Sequence, residues 1–212
     1  MTNLTVFCAA VFGSLSALLM ARIGFAAAGI VRLWHRDARL LAAAGAVLGL
    51  PAAAVFDTEA ERCAWLLLAT ALAALARIDC RTYRLPDRLT LPLAALGLLV
   101  AAWRDPGSFA AAAAACVAFV VGWRLLDLLS PSAGLPGGDF KLLAAAAAWT
   151  GPHGAAAALV LACAAARSVA AIGRRGRKRR IPFGAYLAPA IILVSLTLPV
   201  VAALFPTLRL LG

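Results

Sequence analysis

The chain has 212 residues, 64% of them hydrophobic, and a mean hydropathy of +0.94. Apolar runs near twenty residues then mean membrane spans and exclude an ordinary soluble domain. The net charge of +11 sits in short loops between spans, where it sets topology and faces anionic lipid, so nucleic acid is not an expected partner.

In chain order, the first span is expected at about residues 4–21, with the small Gly13, Ser14 and Ser16 suited to close helix packing and Arg22 at the interface. Residues 23–34 are apolar but carry Arg32 and Trp34, and a basic loop runs to Arg39. The second span covers about 40–56 and holds Pro51, where a kink is expected. After the acidic Asp57, Glu59 and Glu61, the third covers about 63–78 and delivers Asp79 at its far end. The fourth (89–103) closes at Arg104-Asp105-Pro106-Gly107, a turn signal, and the fifth covers 108–129. Asp127, near the end of the fifth, is expected to pair with Arg124. The sixth (140–149) is short and ends at Thr150-Gly151-Pro152, the seventh covers 154–172, and the eighth 185–204. Alanine runs at 110–115, 144–148 and 155–158 form faces that let helices approach closely.

Eight spans predict an all-α, polytopic helical bundle forming one membrane-embedded domain over residues 1–212. Loop charge supports the count. Alternate loops carry sixteen Lys and Arg on one side against Arg62, Arg104 and Arg209 on the other, which makes the first side cytoplasmic and puts both termini outside. Dropping the short sixth span would turn the seven charges from Arg167 to Arg180 outward. Five scattered cysteines form no CxxC pair; Cys8, Cys116 and Cys163 read as small core residues, and no metal site or cofactor is expected.

Two breaks between spans carry the chemistry. One is Arg77 to Pro92, RIDCRTYRLPDRLTLP; the other is Gly134 to Leu143, GLPGGDFKLL. Each runs apolar helix, break, Asp, apolar helix, and charge parity puts Asp79 and Asp139 at one depth although sixty residues separate them. A carboxylate at the lip of a span is costly and marks a candidate functional site. Two such groups in a poorly solvated cleft share one proton: the ionised partner draws a proton from water, and the neutral one polarises a carbonyl and protonates the leaving group. Gly137 and Gly138 leave room beside Asp139 for a substrate backbone. Lys141 could hold a carboxylate or a phosphate head group. Pro86 would stop the helix after Asp79, and Asp87 would cap the helix beginning near Leu89.

These two stretches, with Phe12-Gly13-Ser14-Leu15, Arg22 and the Ile181-Pro182-Phe183-Gly184 segment, resemble the type IV prepilin peptidases of the GxGD class of membrane aspartic peptidases. The resemblance implies that Asp79 and Asp139 are the catalytic pair. It also implies a bacterial inner-membrane enzyme that cleaves the short basic leader of a prepilin or pseudopilin helix on the cytoplasmic side. Pro136 stands where that pattern has its first glycine. Many such enzymes carry a four-cysteine cytosolic insert that N-methylates the product; here the first two spans are joined by little more than residues 31–39, and that insert looks absent. The competing reading is a transporter or assembly scaffold that uses the paired carboxylates for ion coupling.

Overall fold

The computed structural model describes residues 3–27, 31–129, 137–172 and 182–204, and among these it contains helices and no strand. The helices are α1 (Asn3–Ala27), α2 (Val31–Val55), α3 (Glu59–Thr82), α4 (Asp87–Arg104), α5 (Pro106–Leu129), α6 (Gly137–Ile172) and α7 (Gly184–Leu204). Five of them are long and apolar enough to cross a membrane.

Most helices run a few residues past their apolar stretches, because main-chain hydrogen bonding does not end where hydropathy falls. The basic residues 31–39, expected as a loop, form the first turns of α2, which continues through Pro51. α3 starts earlier than its apolar run because Thr58 caps it, its hydroxyl accepting from the Glu61 N–H at 3.2 Å. Asp105 does the same for α5, accepting from the Ser108 N–H at 2.7 Å.

The sixth and seventh expected spans appear as two limbs of α6, joined at Gly151 with φ 73° and ψ 178°, a conformation open essentially to glycine. The limbs are not collinear, because the non-helical backbone at Gly151 kinks α6 where the Thr-Gly-Pro signal ended the sixth expected span. Gly138 at the start of α6 and Gly184 at the start of α7 both pack on the side chain of Leu85, at 3.3 and 3.2 Å from where their Cβ atoms would lie. The eight-span count is approximate, since continuous helical bonding gives seven helices among the described residues.

α3 is the centre of the bundle, buried from Trp65 through Asp79 on most of its circumference, and it packs on α1, α2 and α7. The first limb of α6 is buried without interruption from Leu142 to Ala148 and packs among α4, α5 and α7. Glycines and alanines make these approaches possible: Gly13 of α1 meets the Gly45 backbone of α2, and Gly97 of α4 lies against Trp149 and Ala148 of α6. Large apolar side chains such as Leu99, Val117, Leu128 and Val160 point outward, as a lipid-facing surface requires. Cys8 and Cys163 also point outward and are not core residues, whereas the Cys116 thiol donates to the Ala144 carbonyl at 3.0 Å. Lipid accepts a thiol as readily as a core does, so apolar context alone could not separate the two.

Candidate active site

Asp79 lies within the last turn of α3, not past it, and is 5% exposed. The helix stops four residues on because Tyr83 takes the left-handed conformation, φ 53°, and its N–H bonds the Asp79 carbonyl at 2.8 Å. Pro86 is therefore not the helix terminator. It is the N-cap of α4 and starts the next helix. Between the two helices, Leu85 reaches inward.

Asp139 is the third residue of α6 and is half-buried. The start of α6 that carries it packs on Leu85 through Gly138, and Leu85 also lies against Gly184, which borders Asp79. The two acids differ in their support. The Ala185 N–H, at the start of α7, donates to Asp79 Oδ2 at 3.2 Å, whereas among the described residues no hydrogen bond reaches the Asp139 carboxylate. Asp79 is thus tied to the start of α7 by a backbone amide, and Asp139 is not.

The surrounding residues hold some surprises. The room expected beside Gly137 and Gly138 is occupied: a side chain at Gly137 would collide with the Trp123 ring, and one at Gly138 would touch Leu85. Asp87 does not cap α4. It stands in the first turn and accepts from Lys141 Nζ with both oxygens, at 2.8 and 2.7 Å, tying the start of α4 to the start of α6. That carboxylate is the one Lys141 holds. Arg124 lies over the Trp123 ring at 4.5 Å and forms no ion pair with Asp127. Pro136, Ile181 and the basic run 174–180 fall outside the described residues.

Sequence reasoning missed Asp37. It is 1% exposed on α2 and accepts from Arg77 at 2.7 Å, with Arg81 at 3.7 Å, so one buried acid ties α2 to the two arginines that flank Asp79. A single acid in the basic stretch Arg32–Arg39 was the signal available. No group of three or more His, Cys, Asp or Glu side chains suited to a metal occurs among the described residues.

A model of the type IV leader peptidase family matches residues 66–171, half of the chain, and that span holds both Asp79 and Asp139. The chain belongs to the type IV leader peptidase family. Curated relatives agree. A "Prepilin leader peptidase/N-methyltransferase" of Burkholderia pseudomallei (strain 1026b) is 37% identical over 160 residues, covering 70% of this chain and 51% of the relative. Proteins of the same name from Xanthomonas campestris pv. campestris and Klebsiella pneumoniae are 36% identical over 133 residues and 41% over 108; these cover 59% and 48% of this chain and 46% of each relative. The chain thus spans about half the length of the curated relatives it matches. No solved structure matches. With its long apolar helices, this family member is a multi-pass membrane protein.

Proposed function

We propose that the chain is an aspartic endopeptidase of the bacterial inner membrane that removes the short basic leader from prepilin-like or pseudopilin-like substrates at the cytoplasmic face. The observation that carries this reading is that the end of α3 with Asp79 and the start of α6 with Asp139, sixty residues apart in sequence, converge on Leu85, which lies against both Gly138 and the Gly184 that borders Asp79. The names of the relatives supply the substrate class.

The chemistry needs only the two acids and a water. One carboxylate takes a proton from the water as it attacks the scissile carbonyl; the other, protonated, donates to that carbonyl oxygen and then to the departing amine. Apolar walls such as Leu85 exclude bulk water and strengthen these interactions. A substrate whose apolar helix lies in the bilayer brings its leader junction to the interface. The basic leader is then attracted to anionic lipid head groups. Only residues 28–30 separate α1 from α2, so we read the chain as a peptidase without the methylating insert.

The test uses the full chain in detergent and a synthetic peptide with a short Lys/Arg leader ahead of a twenty-residue apolar helix, with products read by mass spectrometry. Asp79→Asn and Asp139→Asn should each lower the rate by about 10²–10⁴ while the thermal melt stays in place. Asp87→Asn should retain substantial activity. A folded Asp79→Asn or Asp139→Asn protein that cleaves at the parental rate sinks the dyad.

A further inference from the structure

The Pro182-Phe183-Gly184 segment has no part in the hydrolysis described above and lies outside the stretch matched by the family model. In the fold it meets Asp79. Here α7 begins, with Tyr186 and Leu187 N–H groups already bonded to the Phe183 carbonyl at 2.9 and 3.0 Å. The first amides of a helix lack partners within it and present the positive end of its dipole. Ala185 N–H is shared between the Pro182 carbonyl and Asp79 Oδ2, both at 3.2 Å.

Gly184 is what allows the approach. A Cβ there would lie 3.0 Å from Asp79 Oδ2, 3.3 Å from its Cγ and 3.2 Å from Leu85 Cδ1. Carbon at ordinary contact needs several tenths of an ångström more, so an added methyl crowds the Asp79 carboxylate and Leu85, and one of them must give.

We propose that the first turn of α7 is a positioning element for Asp79: the Ala185 amide fixes its carboxylate, and Gly184 leaves the room for it. This rests on the dyad reading. It makes a segment 105 residues downstream part of the active site.

Two variants attack one contact from opposite directions. Gly184→Ala crowds the carboxylate. Ala185→Pro deletes the donor at a helix position where proline is tolerated. In the full chain, with the same leader peptide, each should lower kcat about tenfold or more while KM stays within about twofold, since neither residue is placed to bind substrate. A merely structural role would instead lower the melting temperature and leave the kcat of the folded fraction intact. If Gly184→Ala does not fold, Ala185→Pro decides. A folded Ala185→Pro protein with kcat within about twofold of the parent overturns the proposal. Asp79→Asn separates the failures: if it stays active, the dyad reading falls; if it is dead while both α7 variants keep full kcat, only the positioning role falls.

Discussion

Gly97→Ala tests the packing of α4 on α6 most sharply. The new Cβ would sit 2.6 Å from Trp149 Cδ1, 2.8 Å from Trp149 Nε1 and 2.8 Å from the Ala148 methyl. Carbon atoms pack at about 3.5–4.0 Å, so the helices must part by about 1 Å or the indole must rotate. Overpacking of this kind costs about 1–3 kcal/mol. Rotation also breaks the bond from Trp149 Nε1 to the Leu93 carbonyl, now 2.8 Å, and a buried donor left unmet costs a further ~1–3 kcal/mol. Against this, replacing a helical glycine returns about 0.5–1 kcal/mol. The net loss is about 1–5 kcal/mol, and each kcal/mol lowers the melting temperature by about 2–4 °C for a chain of this size. Thermal scans in mild detergent, followed by the monodisperse fraction, would measure it. Gly122→Ala is the control, because nothing lies within 4 Å of its Cβ position and only the propensity gain remains. A Gly97→Ala protein melting with the parent, or a Gly122→Ala protein losing as much, would refute the reasoning.

The remaining expectations are smaller. Gly151→Ala forces a methyl into a backbone region that excludes it and should cost about 1–3 kcal/mol by the same scans; an unchanged melt would mean that the turn relaxes freely. Lys141→Met should cost no more than about 1 kcal/mol, since the pair with Asp87 is partly exposed and screened; a larger loss would show a buried role. The Asp105 carboxyl is held below its ordinary range by the Ser108 hydroxyl and N–H. Its capping contribution is thus fully present above the usual carboxylate pKa and is lost as pH falls through the lower folded value. Ser108→Ala should move its titration, followed by NMR, back toward the ordinary range, and no movement would remove the hydroxyl as the cause. Chelators should leave leader cleavage unchanged, and inhibition that added zinc reverses would contradict the metal-free mechanism.

What could be read from the sequence follows from the solvent. In a bilayer, main-chain bonds must be satisfied within each segment, so hydropathy and loop charge exposed the helices, their order and the turn at Thr150-Gly151-Pro152. Asp79 and Asp139 stood out as candidates because an acid beside an apolar span is costly, and the fold sets the ends of their helices side by side. Contacts made by backbone had no such signature. The amide of Ala185 looks the same on paper whether or not it meets a carboxylate, and only the glycine before it hinted at a close approach. Gly137 and Gly138 were misread for the related reason that a missing side chain does not say who fills the space. Asp37 was lost among arginines because a count of positive charges discards the one residue that neutralises them.

The turn within α6 also bears on how the chain enters its membrane. The limb carrying Asp139, from Gly137 to Thr150, is about 21 Å long, short of a hydrocarbon core of about 30 Å. Its middle is alanine, which gains little from lipid, and its charged Asp139 and Lys141 resist entry. Such a segment has no reason to leave the translocation channel alone. The longer limb after Gly151, with Leu159, Val160 and Leu161, is the more apolar of the two, so most of the partition energy for the pair is expected from it. Shortening that second limb should then impair insertion of the limb that carries Asp139.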